Sequence, residues 1–201
     1  GTADSPQQPM PISQAQIDEW QNVAVSGGTT TGNYTVSGTE TFGPRKIVGN
    51  LTITNGAKLY LTGPVWVTGN IDVSNNGWLK VDSSLGNSGT VITADGNISV
   101  SNNAIVSGNN FSGSYILVLS TNSGGSAISL GNNSSGAIYY AANGTVQVSN
   151  NAGAYQVTGY SVSLNNNATI TYQSGLADAS FSNGPGGSWA KVDGTYIIID
   201  N

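Results

Sequence analysis

The strongest constraint on the fold is a phrase that returns along the chain. It runs glycine–asparagine, an apolar–polar–apolar triplet, then a small polar residue and one or two asparagines. It is clearest as Gly49-Asn50-Leu51-Thr52-Ile53-Thr54-Asn55-Gly56-Ala57, Gly69-Asn70-Ile71-Asp72-Val73-Ser74-Asn75-Asn76-Gly77 and Gly96-Asn97-Ile98-Ser99-Val100-Ser101-Asn102-Asn103-Ala104. Looser copies begin at Ala127, Gly144 and Ser161. With Asn55, Asn75, Asn102, Asn132, Asn150 and Asn166 as markers, the copies lie 20, 27, 30, 18 and 16 residues apart. Alternation of period two marks a strand with one apolar side. Self-similarity at a drifting period of about 20 residues marks a stacked repeat.

Between markers lie two further short strands, such as Lys58-Leu59-Tyr60-Leu61 and Val65-Trp66-Val67-Thr68, parted by Gly63-Pro64. Three strands per unit with no helical pattern between them describe a β-solenoid whose coils stack about 4.8 Å apart. Leu51, Ile71, Ile98, Ile128, Val146 and Val162 are expected to form one inward row, and Ile53, Val73, Val100, Leu130, Val148 and Leu164 the next. The outward row reads Thr52, Asp72, Ser99, Ser129, Gln147, Ser163. Asparagine tolerates the left-handed backbone of a tight bend and bonds locally or to its counterpart one coil away, so the asparagines are read as corners rather than ligand-binding groups. The long intervals 77–97 and 104–127 imply insertions. The segments 83–89 and 107–113, the latter carrying Phe111, should project as loops and are the first place to look for site-specific binding.

An open solenoid end exposes unpaired backbone, so both ends need closure. Ser13-Gln14-Ala15-Gln16 reads as a capping box, Ile12 and Ile17 as a hydrophobic staple, and Ile17, Trp20, Val23 and Ala24 as one face of a helix over about 13–25. That helix is expected to cover the first coil. Asp18 and Glu19 suit its early turns and carry no catalytic reading. The organisation is a flexible leader over 1–10 and one solenoid domain over 11–201, with coils over about 30–180 and a closing strand over about 189–200 containing Trp189 and Tyr196-Ile197-Ile198-Ile199. The fold class is all-β: a right-handed parallel β-helix of six to seven coils with an N-terminal capping α-helix.

Composition narrows the chemistry. Gly, Ser, Asn and Thr make up 97 of the 201 residues, and only 15 are charged, for a net charge of −5. Five cations, Arg45, Lys46, Lys58, Lys80 and Lys191, form no patch able to neutralise a run of phosphates, so no nucleic-acid partner is expected. With neither histidine nor cysteine, the commonest general base, disulfides, thiol nucleophiles and thiolate metal sites are missing. No apolar stretch approaches the ~20 residues of a membrane span. A chain that starts at Gly1 without Met reads as a mature or excised ectodomain. Sparse charge, many Asn and Thr and no Cys suit an extracellular or cell-surface location.

The runs Pro9-Met10-Pro11-Ile12-Ser13 through Trp20, Gly32-Asn33-Tyr34-Thr35-Val36-Ser37-Gly38, Leu61-Thr62-Gly63-Pro64-Val65-Trp66-Val67-Thr68-Gly69-Asn70-Ile71, Val81-Asp82-Ser83-Ser84-Leu85-Gly86 and Gly184-Pro185-Gly186-Gly187-Ser188-Trp189 resemble bacterial pilus-assembly-type, type IV pilin-like surface proteins. The resemblance covers most of the chain. It implies an envelope-anchored, outward-facing structural or adhesive module, a hydrophobic helix ahead of the β-helical part, and pilus or other surface subunits as partners. Contact with a membrane would then be made only through a segment outside this chain. The resemblance carries over no functional residue.

Parallel β-helices also host polysaccharide-degrading enzymes. Glycoside hydrolysis wants two carboxylates about 5 to 9.5 Å apart. Asp72, Asp82 and Asp95 are the mid-chain acids, and Asp72 has Thr52 and Ser99 as its expected neighbours. Lys58 or Lys80 is at best a lone lyase base, and Asp95-Gly96-Asn97 lacks the acidic run of a calcium site. No catalytic residue, metal or cofactor is assigned. Ice binding would want a regular Thr row, and Thr-x-Thr occurs in the outward row only at Thr52 and Thr54. Low charge and a smooth Ser/Thr surface also suit lateral self-association. The alternative to a purely structural role is glycan binding through exposed aromatics. Trp66, Trp78, Tyr60 and Phe111 are the candidates, with Tyr139, Tyr140 and Tyr172 behind them and packing in irregular interiors as the plainer reading.

Overall fold

The structure, a computed structural model, describes residues 10–173. The described residues form a parallel β-helix of seven coils with three walls. The first wall stacks Thr29–Thr31, Arg45–Val48, Val65–Val67, Thr90–Ala94, Ile116–Ser120 and the opening residues of the long strands Ile138–Val148 and Gln156–Leu164. The second stacks Tyr34–Thr35, Leu51–Ile53, Ile71–Val73, Ile98–Val100, Ser126–Leu130 and the closing residues of the same two long strands, which continue through the corner with a register shift between Ala141 and Thr145. The third stacks Thr39–Phe42, Lys58–Leu61, Trp78–Val81 and Ile105–Ser107, continues through a bridge from Ile105 to Ser135, and ends in the pair Gly153–Ala154 and Thr169–Ile170. Among the described residues every pairing is parallel.

The expected rows are the observed ones. Register sets Leu51 on Ile71, Ile71 on Ile98, Ile98 on Ile128 and Ile128 on Val146, with Ile53, Val73, Val100, Leu130 and Val148 in the adjacent row. These ten side chains are at most 1% exposed. Burying each is worth about 1.5–3 kcal/mol, so the interior is the main source of stability. In the last described coil the same rows end in Val162 and Leu164, which are 44% and 50% exposed. The closing strand expected over 189–200 lies outside the described residues, as does most of the leader.

The corner between the second and third walls is a two-residue left-handed turn in every coil after the first. Asn55, Asn75, Asn102, Asn132, Asn150 and Asn166 have φ between 49° and 55°. The next residue, Gly56 or an asparagine, is also left-handed, which is the type I′ geometry. The side-chain amides form a ladder: Asn102 donates to Asn75 (3.0 Å), Asn132 to Asn102 (2.9 Å), Asn150 to Asn132 (3.3 Å) and Asn166 to Asn150 (2.9 Å). A second ladder follows the corner between the first and second walls. There the Asn33, Asn50 and Asn70 Oδ1 atoms accept the backbone N–H of Asn50, Asn70 and Asn97 in turn, at 2.8–2.9 Å. At this corner the coils approach too closely for a side chain: a Cβ on Gly69 would sit 2.7 Å from the Gly49 carbonyl oxygen and 2.2 Å from Asn50 Oδ1.

The helix Gln14–Ser26 forms with its expected capping box, the Ser13 hydroxyl and the Gln16 side chain each accepting from the other residue's backbone N–H. Its position differs from the expectation. It lies lengthwise on the outer side of the first wall instead of over the first coil. The Tyr140 hydroxyl in the sixth coil donates to the Ile12 carbonyl at 3.0 Å, and at the other end Lys46 N–H in the second coil donates to the Gly28 carbonyl at 2.9 Å. Thirteen residues make about 20 Å of helix, and four coil spacings make about 19 Å, so the two lengths match. The physical reason is the size of the apolar partner. Ile12, Ile17 and Trp20 bury against Val91, Leu117, Leu119, Ile138 and Tyr140 in a second core outside the solenoid. The first coil offers no such surface, because a charged residue interrupts its interior. Glu40 occupies the row of Leu59 and Leu79, where its carboxylate accepts the Tyr34 hydroxyl at 2.5 Å and Ser37 N–H at 2.8 Å.

The two expected insertions lie at one corner, between the third wall of one coil and the first wall of the next, and they are tied together. The Asn109 amide donates to the carbonyls of Asp82 (3.0 Å) and Gly86 (2.9 Å).

Candidate functional site

The sequence candidates lie in three places. Trp66 is on the first wall and is already engaged: its indole N–H donates to Asp95 at 2.9 Å, and the Lys46 ammonium lies 3.6 Å from its ring centroid. It clamps the third coil to the fourth. Phe111 is 52% exposed on the second insertion, beside a cleft of about 340 Å³ that Ser107, Ser114, Tyr115 and Tyr155 also line. Tyr60 and Trp78 share the third wall. Tyr139 and Tyr140 are not surface groups. Tyr139 points into the solenoid and Tyr140 under the helix, each 1% exposed, because this stretch of the first wall is covered on both sides. Tyr172 is 61% exposed.

The third wall brings together groups that stand far apart in sequence. Register sets Lys58 beside Trp78 and Tyr60 beside Lys80. Strand alternation turns all four outward, with Leu59, Leu61, Leu79 and Val81 buried behind them. The result is a checkerboard: cation and aromatic on one coil, aromatic and cation on the next. Both ammonium groups lie against the same indole, Lys58 Nζ at 4.1 Å and Lys80 Nζ at 4.3 Å from the Trp78 ring centroid. Burial, then the Lys58 charge, lowers the Lys80 pKa. The neighbouring acid on the same chain segment, Asp82, accepts Ser84 N–H as the cap of the short 3-10 turn Ser83–Leu85. Such cation–π contacts stabilise by about 0.5–1 kcal/mol at exposed sites, which is the purely structural account of the patch. The signal that finds it in the sequence is an offset: Lys58 to Trp78 and Tyr60 to Lys80 are each 20 residues apart, the same step as Asn55 to Asn75.

The acids weighed for catalysis stand on different parts of the perimeter. Asp72 faces outward on the second wall, flanked in register by Thr52 and Ser99 and bonded by Ser74 Oγ at 3.0 Å. Asp95 is at the corner beyond the first wall, and Asp82 is at the corner beyond the third. Among the described residues no group of three or more acids could hold a metal ion. Among the same residues no helix is long and apolar enough to cross a membrane. A second cleft, of about 450 Å³, opens at the mouth of the first coil between Tyr34, Phe42, Arg45 and Thr62. Its Tyr34 phenol has a raised pKa, because it donates to the Glu40 carboxylate, then because of burial and the Glu40 charge, with Arg45 opposing.

No family model, curated protein or solved structure matches the chain. The class of molecule is therefore defined by architecture: a parallel β-helix with a helix along one flank.

Proposed function

We propose that the chain is a non-catalytic structural and adhesive module, the outward-facing part of a pilin-like or otherwise cell-surface-anchored bacterial protein. One observation carries this reading: backbone ladders and two asparagine ladders run from coil to coil along the solenoid. A rod built this way has no hinge between coils, so it resists local opening and protease attack. The outer surface supports it too, since the perimeter carries small hydroxyls and amides and its few carboxylates are dispersed. Two measurements test the proposal. A broad-specificity protease should leave the coils of the purified chain intact and cut within 29–170 only at the insertions 83–89 and 107–113. Antibody to the chain should label intact cells. Rapid cleavage inside the strands, or labelling only after the envelope is permeabilised, overturns it.

A second reading, glycan binding, is favoured by the third-wall patch of Lys58, Tyr60, Trp78 and Lys80. An indole and a phenol on a flat, rigid wall supply stacking surfaces for the C–H faces of sugar rings.

A further inference from the structure

We propose that the third wall takes an acidic glycan, a chain of carboxylate-bearing sugars, with Trp78 stacking on a sugar ring and Lys58 and Lys80 meeting the carboxylates beside it. This rests on the glycan-binding reading and adds the chemical class of the ligand.

Charge singles out the class of ligand. The protein has a net charge of −5 with five cations, and two of them converge on one indole. Among the described residues no carboxylate is hydrogen-bonded to either ammonium. Glu40, the acid nearest in register, faces inward and is held by Tyr34 and Ser37. Two like charges side by side, partly withdrawn from water, repel one another. Burial first, and then this repulsion, lower the pKa of Lys80. A neutral sugar leaves this repulsion in place and must displace both ammonium groups from the ring. An acidic sugar removes it, because each ammonium swings from the indole to a carboxylate and exposes the ring face as it goes.

The checkerboard sets the pattern of the ligand. The cations lie on one diagonal of adjacent strands and Trp78 and Tyr60 on the other, so the patch suits charges on either side of a stacked ring. The flanking outward residues are Thr39 and Thr41 on one side and Ile105 and Ser107 on the other, and none of these carries charge. A chain laid across the strands at this register therefore meets no carboxylate beside the two cations; the acid at the edge of the wall, Asp82, two residues beyond Lys80, accepts Ser84 N–H at 2.9 Å.

The experiment is titration of the whole protein at low ionic strength with three probes: polygalacturonate oligomers, neutral cello-oligosaccharides and a single-stranded oligonucleotide. The expected result is binding to the polyuronate that weakens with added salt. It should fall about tenfold in Lys58→Gln/Lys80→Gln, which keeps side-chain bulk and leaves the buried rows untouched. Lys46→Gln on the first wall changes net charge without touching the patch and should leave affinity unchanged. Equal binding of polyuronate and neutral oligosaccharide, with no loss in the double variant, overturns the acidic class while keeping the aromatic platform. Binding of the oligonucleotide as tight as that of the polyuronate overturns the sugar assignment. No binding of any probe overturns this proposal and the glycan reading together.

Discussion

The first wall and the two bare walls are made from the same repeat, yet they read differently in sequence. On the bare walls the inward residues are aliphatic and the outward ones mostly polar or aromatic, so Leu51-Thr52-Ile53 and Lys58-Leu59-Tyr60-Leu61 alternate in burial. On the first wall of the fourth and fifth coils, Thr90–Ala94 and Ile116–Ser120 are buried at every position. Interior side chains fill one side and the helix the other, the arrangement that gives continuous apolar strands in any sheet covered on both faces. The covered wall thereby gathers Trp20, Tyr115, Tyr139 and Tyr140 out of water, whereas the bare third wall keeps Lys58, Tyr60, Trp78 and Lys80 at its surface. Coverage, more than residue type, decides which aromatics are available for binding.

The largest consequence is at alkaline pH. Burial raises the pKa of Tyr139 far above the usual phenol value, and burial is also the first cause of the raised values of Tyr115 and Tyr140. Near neutrality these phenols are protonated in folded and unfolded chains alike and give no pH slope. Above about pH 10 the unfolded chain releases protons that the fold retains. Stability therefore falls as pH rises, by about 1.4 kcal/mol per pH unit for a fully protected phenol. Lys80 on the bare wall acts in the opposite sense. Its pKa is lowered, so the cost of holding it charged is relieved as pH climbs toward 10.5. Urea midpoints should be flat between about pH 6 and 9 and drop beyond 10. Tyr139→Phe should blunt the drop and cost little at pH 7, since the Tyr139 hydroxyl is buried without a hydrogen-bond partner. An alkaline drop identical in Tyr139→Phe would mean that this phenol is not shielded by the wall.

Next in size is the contrast between the two kinds of surface. Trp20→Ala removes the largest helix side chain from the second core and should cost about 3–5 kcal/mol in denaturant unfolding. Ser99→Ala, on the outer side of the second wall, should stay within about 0.5 kcal/mol. A Trp20→Ala loss below about 1 kcal/mol would show that the helix rests on the wall without being part of the fold's core.

Much of this is legible in the sequence because it is written locally. Period-two alternation yields the inward rows and their partners, and paired asparagines yield the corners, since both depend on a few neighbouring residues and a repeat step. The position of the helix is not local. Its stripe of Ile17, Trp20 and Ala24 is compatible with any apolar surface. The clue lies a hundred residues away in Ile116-Leu117-Val118-Leu119, whose unbroken hydrophobicity signals a second covered face. Tyr139 and Tyr140 stand in the sequence as secondary surface candidates, with interior packing the plainer reading, for the same reason: adjacent residues on a strand point to opposite sides, and one has to face outward unless something covers it. Lys58 and Lys80 read as single cations because their partnership with Trp78 exists only across coils.

The smallest effects test whether the bare corners obey backbone conformation before hydrogen bonding. Asn102 combines a left-handed φ of 54° with two ladder bonds, one given to Asn75 and one taken from Asn132. Asn102→Gly keeps the left-handed backbone and deletes both bonds. Because those bonds are solvent-exposed, the cost should be about 1 kcal/mol, and Asn102→Ala should add roughly another 1 kcal/mol of backbone strain. Gly56→Asn runs the comparison in reverse. Gly56 sits at φ 76° with open space where a Cβ would lie, and the equivalent residues Asn76, Asn103, Asn133, Asn151 and Asn167 hold φ of 60–62°. The substitution should be neutral or stabilise by up to about 0.5 kcal/mol, because asparagine loses less chain entropy on folding than glycine while tolerating the same conformation. If Gly56→Asn instead destabilises by more than about 1 kcal/mol, coil-to-coil contacts rather than left-handed tolerance select the corner residue, and the bare corners would be packed as tightly as the wall beneath the helix.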